Sequence, residues 1–251
     1  MQDSNSERME SFPNSLEINS NNYRKFVGPV DRFDVISAIQ FNLLTFLGLR
    51  ENHSLLDIGC GCLRAGRLLI VYLSKGNYTG VEAEKLLVDY GVQSEIGQDL
   101  VFLKTPTFIY KSDWMFASVG RSFDYLLAQS VFSHASRRQI SLCLKSAAAS
   151  MHNSSLFCAT FFIGTQDYQG ESWVYPQKVS YRCETILSLI REAGLIGEPI
   201  LWEHPTQTWY LMSSPGNYDR LKAESKRIER MFSAGLTAST QCGKQSVDGD
   251  I

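Results

Sequence analysis

The chain has 251 residues, 44% of them hydrophobic and 12% aromatic, enough to pack one substantial domain with a small appended lid. A net charge of −2 carries no global electrostatic signature for nucleic acid or an anionic membrane. No apolar run approaches the roughly 20 residues that span a bilayer, no charged-then-apolar leader opens the chain, and six scattered cysteines contain no Cys-x-x-Cys pair. These features predict a cytoplasmic protein with reduced thiols and no structural zinc.

Residues 1–22 are polar and lack a periodic apolar face, which predicts a flexible arm. After residues 23–28, Ile36, Ile39, Leu43, Leu44 and Leu47 recur at helical spacing, with Asp31 or Asp34 near the start and Gly48 at the close. This helix either packs on a sheet and nothing more, or serves as a lid placing Tyr23, Arg24, Phe33 or Gln40 over a ligand.

A short apolar strand over 54–58 then runs into Asp57-Ile58-Gly59-Cys60-Gly61-Cys62-Leu63-Arg64-Ala65-Gly66. Glycines suit a backbone that turns sharply and lets a ligand approach, and a helix from about residue 63 to 74 would point its free N–H groups over the turn. Gly59, Gly61 and Gly66 do not have the G-x-G-x-x-G spacing that seats a pyrophosphate, and Arg64 enters the turn. Cys60 and Cys62 read as small side chains filling a crowded turn rather than as a metal or redox pair. The run Asp57-Ile58-Gly59-Cys60-Gly61 resembles motif I of the class I S-adenosylmethionine-dependent methyltransferases, from which it departs by carrying Leu63 at the third glycine position. An acid such as Asp57 before the turn fits a ligand that lacks phosphates and carries sulfonium and ammonium groups.

The second strand, 77–82, ends in Glu82, where doubly wound folds place an acid on the ribose hydroxyls. A helix over 85–96 and a strand over 101–110 follow. The resemblance then implies that Asp113 and Trp114 border the adenine, although Trp114 also reads as plain core. Residues 123–129 form a strongly apolar fourth strand, followed by Ser130-Val131-Phe132-Ser133-His134 and a helix through Met151. This segment resembles the family's motif IV, which implies that Gln129, Ser130 and His134 face the transferable methyl. A fifth strand over 155–164 leads into a long loop, 165–178, whose Tyr168, Trp173 and Tyr175 either wall an acceptor pocket or pack down as a lid. A helix over 181–193 is closed by Gly194. Strands over 200–203 and 206–212 flank His204-Pro205, where the family has an antiparallel hairpin. A charged helix over 217–233 and a polar tail over 234–251 end the chain, and no internal repeat or second domain is visible.

The resemblance implies a doubly wound, Rossmann-like α/β fold, with a seven-stranded sheet, an antiparallel C-terminal strand and an N-terminal helical lid. The arm would span 1–22, the methyltransferase domain 23–215, and the terminal helix and tail 216–251. S-Adenosylmethionine would be held by Asp57, Gly59, Cys60, Gly61, Arg64, Glu82, Asp113, Trp114, Gln129 and Ser130. Tyr168, Trp173, Tyr175 and His204 would meet the acceptor. A hydroxyl acceptor must lose a proton, and His134 is the candidate base, with a structural role beside helix 135–151 as the alternative. His53 and His152 look peripheral. No Asn/Asp-Pro-Pro-Tyr or Pro-Cys follows the fourth strand, and Asp167 stands nearly alone after the fifth, so neither nucleobase methylation nor a catalytic metal is expected. The expected reaction is O-methylation of a small molecule such as a sugar or natural product, without nucleic-acid or membrane partners. Two alternatives remain open at this point: a nicotinamide-dependent oxidoreductase, whose only Tyr-x-x-x-Lys would be Tyr218 and Lys222, and a non-catalytic S-adenosylmethionine-binding protein.

Overall fold

The structure, a computed structural model, describes residues 18–116 and 120–242, with side chains as far as Ser233. The expectations for residues 1–17 and 243–251, the bulk of the arm and the end of the tail, lie outside the described residues. A seven-stranded sheet has the order β3-β2-β1-β4-β5-β7-β6. Its strands are β1 (Leu55–Ile58), β2 (Tyr78–Glu82), β3 (Thr107–Tyr110), β4 (Phe123–Ala128), β5 (Met151–Phe161), β6 (Ile196–Ile200) and β7 (Thr208–Ser213). Only β7 runs antiparallel to its neighbours, β5 and β6. The strand order reverses between β1 and β4, and an open parallel sheet has its ligand crevice at such a reversal.

The helices are α1 (Phe33–Phe46), α2 (Gly66–Tyr72), α3 (Lys85–Gly91), α4 (Gln98–Lys104), α5 (Arg137–Ala149), α6 (Cys183–Glu192) and α7 (Tyr218–Cys242). Strand residues alternate between two cores, which is why β1 is apolar on both faces. Leu56, Ile58, Leu126 and Phe157 pack with Ile140 and Leu144 of α5 and Ile186 and Ile190 of α6. Leu55, Leu127 and Cys158 pack instead with Leu43 and Leu44 of α1, Leu69 and Ile70 of α2, and Leu221 and Ile228 of α7. Ser136 starts α5 with a reciprocal cap: its hydroxyl accepts from the Gln139 amide and the Gln139 side chain accepts from its own N–H. Among the described residues no helix is long and apolar enough to cross a membrane.

Four boundaries differ from those read in the sequence. Residues 98–104 are helical, so the apolar run expected as one strand over 101–110 divides at Thr105, whose φ of +44° ends α4. Phe102 and Leu103 are exposed on that helix, where apolar character reports no burial. The first hairpin strand lies at Ile196–Ile200 rather than 200–203, because Gly197 and Pro199 are tolerated on a sheet edge and β6 is the edge strand. Strand β5 begins at Met151, earlier than expected, across a register shift opposite Phe123 and Tyr125. Helix α7 runs to Cys242, well into the segment read as tail.

Candidate active site

Three sets of residues line the C-terminal rim of the sheet. The first is the turn after β1. Gly59 and Gly61 have φ of +70° and +53°, and a Cβ on either would come within 2.5 Å of a valine methyl, Val131 above Gly59 and Val27 above Gly61. Leu63, at the third glycine position of the resemblance, keeps the left-handed backbone with φ +63° and is fully buried, so the turn geometry survives the change of residue. Glu82 ties the turn down: one carboxylate oxygen accepts from the Gly61 amide at 2.9 Å and the other from the Glu84 amide at 3.0 Å. Each oxygen thus retains a lone pair for a further donor. Burial pushes the Glu82 carboxyl up, and its backbone donors oppose that shift.

Asp57 lies beneath this turn rather than over it. It is buried, accepts from the Tyr78 hydroxyl at 2.7 Å, and is lifted by burial to about 6. The buried thiols of Cys60 and Cys62 are pushed upward as well, Cys62 to about 12, which leaves both as inert packing groups. Among the described residues no three His, Cys, Asp or Glu side chains are grouped to hold a metal ion.

The second set spans β4, β5 and the β6–β7 turn. Arg64 crosses from the start of α2 and donates to the Val27 carbonyl and to Gln129 Oε1. It is 6% exposed, its Nε is buried without a partner, and burial lowers the guanidinium to about 10. Gln129 Nε2 donates to Ser130 Oγ at 2.6 Å and lies 2.8 Å from His204 Nε2. Gln207 Nε2 also donates to Ser130 Oγ, at 2.7 Å, and the Ser130 amide donates to Thr160 Oγ1 at 2.8 Å. His204 Nδ1 accepts the amides of Thr206 and Gln207, and burial together with the Arg64 charge lowers this imidazole to about 4.

The third set is aromatic. His134 Nδ1 meets the Gln177 carbonyl at 2.6 Å. A carbonyl only accepts, so the neutral ring carries its proton on Nδ1 and presents Nε2 as a lone pair. Burial depresses this imidazole, which favours that neutral form. The ring packs 5.4 Å from Trp173 and 5.0 Å from Tyr175, and Trp173 in turn lies 5.7 Å from Trp114 with the two ring planes tilted by 44°. Backbone bonds from Val174 to His134 and from Val179 to Ser133 fasten the 165–182 loop onto the segment after β4.

Tyr168 rests against the core beside this group. Asp113 is exposed and accepts the Met115 amide at 2.9 Å. Of the residues named for a lid, Tyr23 and Phe33 pack with Cys62 of the turn. Tyr23 and Arg24 also clamp Glu95, Phe33 is buried under the Arg24 guanidinium, Gln40 bonds the Ile36 carbonyl, and Val27 lies over Gly61. Thr160 and Gln207 complete the second set and were not singled out from the sequence, although Gln207 follows His204 closely enough to have been suspected. Tyr218 and Lys222 lie on α7, where Lys222 pairs with Glu198 of the edge strand, far across the sheet from the glycine turn.

No protein-family model and no curated protein matches the chain. Solved structures do. Magnesium protoporphyrin IX methyltransferase from Synechocystis PCC 6803, with bound S-adenosylhomocysteine, superposes with a TM-score of 0.58 at 14% identity, covering 77% of this chain and 93% of that one. DesVI from Streptomyces venezuelae gives 0.58 at 12% identity over 79% of this chain and all of that one. The DhpI–S-adenosylhomocysteine complex gives 0.57 at 11% identity over 78% and 93%. The fold is that of the class I S-adenosylmethionine-dependent methyltransferases. At such identities the shared property is the methyltransferase fold, and the polar and aromatic sets on its rim are described from this chain alone.

Proposed function

We propose that this chain is an S-adenosylmethionine-dependent methyltransferase acting on a hydroxyl of a small molecule, such as a sugar or a natural product, in the cytoplasm. The observation that carries the reading is the segment after β4, which joins the covered glycine turn through Val131 to a neutral, base-competent His134 inside an aromatic wall. The residues fit the cofactor in their polar chemistry: each Glu82 carboxylate oxygen retains a lone pair for a ribose hydroxyl beside the glycine turn, which Val27 and Val131 cover. When bound, the cofactor supplies a methyl on a sulfonium, an activated group with a good leaving atom.

In this reading the chain's own residues position and deprotonate. Glu82 and the turn from Gly59 to Gly61, with Asp113 and Trp114, hold the nucleoside, while Asp57 and Cys60 support the turn from beneath. Arg64, Gln129 and Ser130 bound the methyl-bearing end. Trp173, Tyr175 and Tyr168 exclude water and orient the acceptor, with His204 at its far side. His134 Nε2 takes the hydroxyl proton as the acceptor oxygen forms its bond to the methyl carbon. His134→Ala is expected to lower kcat by at least about 100-fold while leaving S-adenosylhomocysteine affinity unchanged. Turnover near wild type would remove the base role. A chain that binds S-adenosylhomocysteine yet methylates nothing in a panel of hydroxylated and amino compounds would be a binding protein instead.

A further inference from the structure

The set formed by Arg64, Gln129, Ser130, His204 and Gln207 contains more hydrogen-bond donors than acceptors. His204 Nδ1 accepts two backbone amides, so the proton of the neutral ring sits on Nε2. That N–H faces Gln129 Nε2, another donor, at 2.8 Å. Turning the Gln129 amide over would satisfy His204 but set an NH2 against the Arg64 guanidinium, which now donates to Gln129 Oε1. One donor pair is opposed either way. Arg64 adds a buried positive charge whose Nε has no partner and for which no ion pair exists among the described residues. An uncompensated buried charge is costly, and natural sites hold such groups where a ligand completes them. Gln207 Oε1 is the complementary case, a buried acceptor without a donor.

We propose that this cluster receives an anionic group of the acceptor, a carboxylate or phosphate, while a hydroxyl of the same molecule donates to Gln207. The assignment to the acceptor rests on the methyltransferase reading, in which Glu82 marks the nucleoside end. Gln129 lies two strands from Glu82, about 10 Å at ordinary strand spacing, and Thr160 and the His204 turn lie further along the rim. The acceptor is then a hydroxylated acid rather than a neutral polyol.

The test reads binding without turnover. Inorganic phosphate, glycolate and neutral glycolamide are titrated into the full chain while the His204 imidazole is followed by NMR, with and without saturating S-adenosylhomocysteine. The expected result is a saturable shift with phosphate or glycolate, none with glycolamide, and an anion affinity retained when S-adenosylhomocysteine is bound. In Arg64→Met the anion should bind at least about tenfold more weakly. Because Arg64 also fastens Val27 to β4, a second variant avoids reliance on it. Gln129→Glu places a fixed carboxylate between Arg64 and His204, so it should raise Tm and abolish the anion shift. No saturable shift in the wild type, an equal response to glycolamide, or a shift that survives Gln129→Glu each overturns the proposal. Displacement of the anion by S-adenosylhomocysteine would assign the cluster to the carboxylate of the methyl donor and overturn it too. Failure of the methyltransferase reading is separate, since it appears as no binding of S-adenosylhomocysteine at all.

Discussion

At the β2 end of the rim, Glu82 spends one lone pair per oxygen on backbone amides, that of Gly61 in the turn it supports and that of Glu84 in its own loop after β2. At the β4 end, Gln129 and His204 point donors at each other, and Arg64, which donates to Gln129 Oε1, leaves its Nε unpaired. The first arrangement is complete without a ligand and needs only spare lone pairs to bind one. The second is completed only by a partner from outside. A site satisfied by its own backbone is preorganised for a fixed group, and in the proposed function the ribose of the donor is that group. A mismatched one records the chemistry of whatever it waits for.

The sharpest way to break this comparison is at its complete end. Glu82→Ala removes the acceptor of the Gly61 amide in the turn and of the Glu84 amide after β2, and S-adenosylhomocysteine affinity should fall about 100-fold, or roughly 3 kcal/mol by titration calorimetry. A loss below about threefold would show that the turn stands without its acid. A second contrast lies in titration. Asp57 is raised from 3.8 to about 6, so the stability it contributes is present below 3.8 and is lost as pH rises through about 6. His204 is lowered from 6.5 to about 4, so its contribution is present above 6.5 and is lost as pH falls through about 4. The two slopes oppose each other, so in denaturant melts each partly masks the other between about pH 4 and 6. Asp57→Asn should leave stability rising with pH by about 2 kcal/mol across that window, allowing for the partial exposure of His204. His204→Gln should leave it falling by about 3 kcal/mol. Parallel profiles for both variants would refute the assignment of these shifts. The smallest effect concerns the cover. Arg24 grips Glu95 at 2.6 and 2.9 Å from a partly exposed position, so Arg24→Met should cost about 1 kcal/mol and loosen the 23–27 segment over Gly61. Hydrogen exchange that leaves residues 23–27 as protected as in the parent would contradict that link.

Much of the fold was legible because its signals are local. The apolar runs of β1 and β4, the glycine turn and the acid closing β2 each lie within one short segment, so spacing alone located them. Asp57 was legible as a residue of the motif but not in its direction, since strand alternation turns it towards Tyr78 beneath the turn. The run 101–110 misled because Phe102 and Leu103 are apolar yet solvent-exposed, so hydrophobicity there carried no information about pairing. The hairpin was misplaced because edge strands accept Gly197 and Pro199, residues that ordinarily argue against a strand.

By itself the sequence determined the apolar strands, a glycine turn and an acid at the second strand, since backbone conformation and strand periodicity depend on neighbours a few residues apart, while the doubly wound sheet came from the family resemblance. Only the tertiary structure decided that Val27 covers the turn, that Trp173 joins Trp114 and His134, and that Gln129 meets both Arg64 and His204. Those contacts join residues 34 to 75 positions apart or more, and their chemistry depends on which donors burial forces together, a quantity that no spacing rule contains.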